Sequence, residues 1–177
     1  MGQSSSKDST GQRPVVLDLS GPLTAEEKKA IKLCWSKISE NYASNGVGLF
    51  LEFFKKYPEC KEVFHDFAAM SLEKLTTSPR LSAHALAVFY FLQAVIDNID
   101  DEVLVEALIR KNGLSHSRRK GVTTQQFVYL TNVMKDYFHQ LVGDKLMTPV
   151  AMCGWEKLLN TVLSCNEKAF EEARRKK

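Results

Sequence analysis

The sequence predicts an all-α fold on three observations. From Thr24 onward apolar residues recur at spacings of three and four, capping signatures stand ahead of those stretches, and no segment sustains the alternation of a strand. Ile31, Trp35, Ile38 and Tyr42 line a first helix, and Val47, Phe50, Leu51 and Phe54 a second. Leu81, Ala85, Val88, Leu92, Val95 and Ile99 line a long central helix. Phe127, Leu130, Met134, Tyr137 and Leu141 line the next, and Trp155, Leu158, Leu159, Val162 and Leu163 the last. Stripes of this kind are faces buried against other helices. Five long helices are expected, with short pieces after Pro58, near Leu72 and from Val103 to Leu108.

Starts and stops punctuate the same scheme. Thr24 with Glu27 and Thr123 with Gln126 are capping boxes. Ser78-Pro79 and Thr148-Pro149 each place an N-cap ahead of a proline at the first helical position. Asn45-Gly46, Asn112-Gly113, Gly121 and Gly143 are read as stops. Residues 1–22 are expected to be a flexible tail, rich in Ser, Gly, Gln and Thr, with one isolated apolar patch at Pro14, Val15, Val16 and Leu17. Residues 23–177 then form one domain, within the size that a single core supports.

Composition narrows the function. Apolar residues are 44% and charged residues 25% of the chain, the balance of a globular domain. A net charge of +3, without a basic stripe carrying interleaved aromatics, argues against nucleic acid as a partner. No apolar run reaches the roughly 18 residues of a transmembrane helix, and no secretory leader is visible, so a cytoplasmic location is expected. The four cysteines, Cys34, Cys60, Cys153 and Cys165, form no C-x-x-C pair. Cys153 and Cys165 share one expected helix, where their separation of roughly 18 Å is too long for a disulfide. A reducing compartment makes four free thiols the expectation, with a pairing of Cys34 and Cys60 left open.

No G-x-S-x-G elbow, phosphate loop, H-E-x-x-H pair or set of paired carboxylates occurs. Among the four histidines, His65 and His139 read as surface or boundary residues. His84 borders the apolar stripe of the central helix, where a histidine is either a hydrogen-bonded helix-edge residue or a ligand. His116 follows the Asn112-Gly113 stop and reads, taken alone, as a loop residue.

The context of these residues changes that reading. Y-P-E-C-K-E-V-F-H-D-F, then S-P-R-L-S-A-H-A-L-A-V, then the L-S-H of His116 follow one another in a register that resembles the globin family. Trp35 matches the family's first-helix tryptophan, Gly46 the glycine at a close helix crossing, and Phe64 the phenylalanine that stacks on haem. The match spans about residues 24–172. It implies a globin fold, about eight helices packed around a haem pocket, with His116 as proximal and His84 as distal metal ligand. Val88 falls where the family packs an aliphatic residue over the iron. The haem b slot is expected to be lined by Phe50, Phe64, Phe67, Val88, Leu92, Val122, Phe127 and Leu130, with Lys120 and Arg119 placed to meet the propionates. The Asn112-Gly113 pair departs from the family, which continues its helix here with an aliphatic residue against the haem.

In character the resemblance is to the hexacoordinate globins of cytoglobin, neuroglobin and globin X type. It implies reversible bis-histidyl iron that binds dioxygen and other diatomic gases in redox, gas-sensing or protective roles. A reductase is then a partner to look for, and enzymatic redox or nitric-oxide chemistry stays open without a dedicated motif. The Ala-, Ser- and Thr-rich stretch between Phe67 and Pro79 predicts a loosely tethered central helix that could move His84 toward the iron. The alternatives are a five-coordinate dioxygen store or carrier and a haem-free helical interaction module. Finally, Met1-Gly2-Gln3-Ser4-Ser5-Ser6 fits the N-myristoylation pattern at Gly2. With Gln3 in place of a neighbouring cysteine, a single acyl chain gives only weak, reversible membrane association.

Overall fold

In the computed structural model, residues 18–176 are described, and among them the secondary structure is entirely helical. The acylation signal at Gly2 and the Pro14–Leu17 patch lie outside these residues. Seven α-helices follow in order: α1 (Ala25–Ile38), α2 (Tyr42–Lys56), α3 (Leu72–Leu75), α4 (Pro79–Asp97), α5 (Glu102–Ser117), α6 (Thr124–Val142) and α7 (Pro149–Arg175). Two 3-10 segments, Ser39–Asn41 and Pro58–Val63, lead into and out of α2.

The capping devices form as the sequence predicts. The Thr24 backbone N–H donates to Glu27 Oε2 at 2.8 Å, and the Glu27 N–H donates to Thr24 Oγ1 at 3.2 Å. Ser78 and Thr148 cap α4 and α7 ahead of their prolines. Gly121 and Gly143 adopt positive φ, 81° and 70°, as stops require.

The other two expected stops are helix interior. Asn45-Gly46 lies inside α2 and Asn112-Gly113 inside α5. The 103–108 piece is therefore the first half of a helix that carries His116 in its last turn, and Tyr42 opens α2 instead of closing α1. Both glycines serve close packing. A Cβ on Gly46 would sit 3.1 Å from Ala85 Cβ, where α2 crosses α4. A Cβ on Gly113 would sit 2.8 Å from Ala169 Cβ and 2.6 Å from Asn166 Oδ1, where α5 packs along α7. The absence of a side chain, which sequence reading takes for a turn, here brings two backbones together.

The core gathers around Trp35, whose ring lies 5.4 Å from Phe89 and 6.4 Å from Trp155, and whose Nε1–H donates to Gln93 Oε1 at 2.7 Å. Glu27 and Lys157 pair at 3.0 Å between α1 and α7, both side chains only 8% exposed. All four cysteines are free and buried. α4 has the length and, at a mean hydropathy of 1.2, the apolarity of a membrane span, contrary to the reading of the sequence. It is nonetheless a core helix: Leu81, Ala85, Phe89, Leu92, Val95 and Ile96 are buried against its neighbours. Nor is its start loose. Leu75 is fully buried, Arg80 Nη1 donates to the Asp66 carbonyl at 2.8 Å, and Lys61 Nζ donates to the Met70 carbonyl at 2.7 Å. Small polar residues in this stretch cap helices and do not leave the chain free.

Candidate functional site

Faces of five helices and the end of the second 3-10 segment converge on one cleft. α4 contributes His84, Val88, Phe91 and Leu92, one face at helical spacing. α5 contributes Asn112 and His116, a turn apart, and Arg119 follows from the turn beyond. α6 supplies Phe127, Leu130, Thr131 and Met134, and α7 supplies Leu159, Val162 and Asn166. Phe50 and Phe53 of α2, with Val63, Phe64, Val122 and Gln126, complete the wall.

Ten residues expected at the site thus line one cavity: Phe50, Phe64, His84, Val88, Leu92, His116, Arg119, Val122, Phe127 and Leu130. Two do not. Phe67 is buried behind Phe64, stacked on it at 5.1 Å, and Lys120 is exposed and off the wall, which leaves Arg119, the other cation expected there, on it. Met134, Leu159 and Val162 were legible only as core positions, because helical period gives a face and not what lies opposite it, and Phe91 was not on the expected stripe. Asn112 was legible only as part of an expected stop, and Asn166 gave no signal at all.

Each histidine is held differently. The His116 Nδ1 lies 2.9 Å from the Asn112 carbonyl, one turn back in α5. A carbonyl only accepts, so Nδ1 carries the proton and the Nε2 lone pair is left to bind a metal. The continuation of α5 through Gly113 is what sets this bond. His84 is held by shape: its ring meets Phe50 and Phe64 edge-on, each at 5.1 Å. Burial is the main cause that lowers the His84 pKa to about 4, assisted by His116 and Arg119. Burial also lowers His116, with the Asn112 carbonyl opposing and Arg119 adding to the effect. Both imidazoles are therefore neutral at pH 7, the form that ligates metal.

Among the described residues no group of three or more His, Cys, Asp or Glu is placed to hold a bare ion. Two neutral imidazoles in a largely apolar cleft instead suit a flat apolar cofactor that brings the remaining metal ligands itself. Arg119 at the wall offers a cation for an acidic edge of such a group. The residues present fit haem.

Comparison with known proteins places the chain in a family. The chain is 31% identical to a globin of Nerita albicilla over 146 residues, covering 82% of this chain and 92% of the relative. It is 27% identical to cytoglobin-1 of Oryzias latipes over 157 residues, covering 88% of each. The fold superposes on a hexacoordinated haem protein from an anhydrobiotic tardigrade with a TM-score of 0.78 at 19% identity, covering 85% of this chain and 96% of that one. Ferric Aplysia limacina myoglobin gives 0.74 at 21% identity, covering 85% and 98%. The family model described as Globin matches residues 47–165, more than half of the sequence, and the chain therefore belongs to the globin family.

Proposed function

We propose that this chain binds haem b with His116 as proximal ligand and, without an external ligand, His84 as reversible distal ligand. The observation that carries this reading is the pair of neutral imidazoles on one apolar cleft, His116 tethered through Nδ1 so that Nε2 is presented. Bound haem would supply an iron able to take dioxygen or another diatomic gas. The chain's own residues do the rest. The Asn112 carbonyl fixes the tautomer and orientation of His116. Phe50 and Phe64 press on the His84 ring from two sides, leaving little room for it to stand aside. The apolar wall would keep bulk water away, and Arg119, one of the two cations expected there, would meet a propionate. Cytoglobin-1 as a relative and the hexacoordinated tardigrade protein as a fold neighbour support the bis-histidyl form.

Redox, gas-sensing or protective work follows from that form. External ligands wait for His84 to leave, so their apparent affinity falls by the fraction of open protein. A reductase that restores the ferrous state belongs to the same proposal, as does a cytoplasmic protein weakly held at a membrane by myristoylated Gly2. A second reading, the five-coordinate dioxygen store, draws on the firm anchoring of α4 through Leu75, Arg80 and Ser78, which restrains movement of His84. The visible spectrum of the ferrous, unliganded protein decides between them. Two sharp bands are expected, and His84→Leu should convert them to one broad band and speed carbon monoxide binding. A single broad band in the unmodified protein selects the store; no Soret band after haem addition rejects both.

A further inference from the structure

An unbroken run of oxidisable rings leads from beside the cleft to the surface. Trp155 of α7 stands one turn before Leu159, a residue of the cleft wall, and both residues also line a second hollow. The Trp155 ring lies 6.4 Å from that of Trp35, the Trp35 ring 6.2 Å from Tyr42, and the Tyr42 ring 5.4 Å from Tyr90, all within the contact range of aromatic pairs. Trp155 and Trp35 are the two tryptophans of the chain. The ends of the run differ in surroundings: both tryptophans are 3% exposed, whereas Tyr90 is 63% exposed. Packing accounts for Trp35 and Trp155, which sit in the core with Phe89 and Phe138. It does not account for Tyr90, which is mostly exposed and stacked on Tyr42 at an interplanar angle of 28°. The polar groups of the run are organised as well. Trp35 Nε1–H and the Tyr42 hydroxyl both donate to Gln93 Oε1, and Gln93 Nε2–H donates to Asp97 Oδ1 at 2.6 Å. A ring that donates to an acceptor polarised by a carboxylate is richer in electrons and gives one up more readily.

We propose that Trp155, Trp35, Tyr42 and Tyr90 form a path by which oxidising equivalents leave the cleft and are discharged at Tyr90 to a small one-electron reductant of the ascorbate class. The inference rests on the haem reading for its oxidant, hydrogen peroxide reacting at the haem; the path itself does not. Peroxide takes up two electrons, and two protons from solvent, to become two waters, so the path carries one electron twice. In each passage Trp155 gives an electron toward the cleft and is refilled from Trp35, Trp35 from Tyr42, and Tyr42 from Tyr90. Trp35 and Tyr42 keep their protons in the bonds to Gln93 Oε1, an amide oxygen that accepts a hydrogen bond without taking the proton away. Tyr90 faces solvent, loses its proton to water and is left as a neutral phenoxyl radical. The reductant returns an electron, and a proton from solvent restores the phenol.

The test has two arms. In the haem-free full chain, a laser flash ionises tryptophan and persulfate traps the ejected electron; since both tryptophans lie on the path, the indole radical forms there. Its absorbance should decay as that of a phenoxyl radical grows. Tyr42→Phe should abolish that growth, and so should Tyr90→Phe at its exposed position, because Tyr42 alone keeps its proton. Tyr129→Phe, off the path, should leave it unchanged. In the haem-loaded protein, hydrogen peroxide should give a phenoxyl signal in electron paramagnetic resonance and, without reductant, dimers cross-linked through Tyr90. Ascorbate or Tyr90→Phe should remove the dimers. Decay of the indole radical with no phenoxyl radical, or unchanged growth in Tyr42→Phe, overturns the path; if that variant does not fold, unchanged growth in Tyr90→Phe overturns it instead. A working path in the first arm with no Tyr90-linked dimer in the second overturns discharge at Tyr90. Failure to take up haem overturns the haem reading, and the flash arm still decides the path.

Discussion

His84 shows how burial sets the chemistry of one residue. Its folded pKa of about 4 lies below the ordinary 6.5, so on acidification the unfolded chain takes up the proton first. The stability due to neutral His84 is therefore complete above about pH 6.5 and is lost as pH falls toward 4. Urea unfolding of the haem-free protein at pH 7 and pH 4 should show a loss of about 3 kcal/mol from this residue, absent in His84→Leu. The two imidazoles also separate by function. His116→Ala should abolish stable haem uptake, with added imidazole restoring a Soret band, because only the metal-binding nitrogen is removed. Normal haem retention by that variant would remove His116 from the site.

Residues 112–113 of α5 combine a stop signal with a packing requirement, and packing prevails because the backbone hydrogen bonds of a continued helix are retained while Gly113 admits α7 at close range. Gly113→Ala brings a Cβ to 2.8 Å from Ala169 Cβ, an atom fixed to backbone. That variant should lose about 1–3 kcal/mol in chemical denaturation, and its haem should dissociate faster because α5 carries His116. Gly46→Ala meets Ala85 Cβ at the looser distance of 3.1 Å, so the gain in helix propensity of up to about 1 kcal/mol offsets much of the crowding. If the two variants were equally stable, close packing would not be what selects glycine at position 113.

The cleft unites helices from both halves of the chain, so its occupant should stabilise the whole molecule. A ligand at a thousand times its dissociation constant adds about 4 kcal/mol to the folded state. Haem addition should accordingly raise the melting temperature of the whole protein in one transition, and His116→Ala should lose most of that rise. An unchanged melting temperature would mean that the cleft is not where haem binds. Gly2 adds a property of the full chain. Intact mass of the protein from a eukaryotic host should show one myristoyl group, with weak and reversible vesicle binding. Free or acetylated Gly2 leaves no membrane role.

The all-helical class and the capped starts at Thr24, Ser78, Thr123 and Thr148 were readable from residue order, because side-chain period and capping chemistry are local and report them directly; Phe64, His84 and His116 were singled out together only by the resemblance to the globin family. What surrounds the histidines was not readable in the same way. Asn112-Gly113 had the form of a stop until α7 supplied the surface against which Gly113 packs. Phe67 and Lys120 were on the expected list of site residues, yet a stacked neighbour and a turn of chain set them aside while Arg119 took the wall. Asn166, far along the sequence from His116, reached the same wall only because α5 and α7 lie in contact. Sequence specifies which face each helix buries, but which residues meet across the cleft depends on the packing of helices far apart in the chain, and that was decided by the tertiary structure.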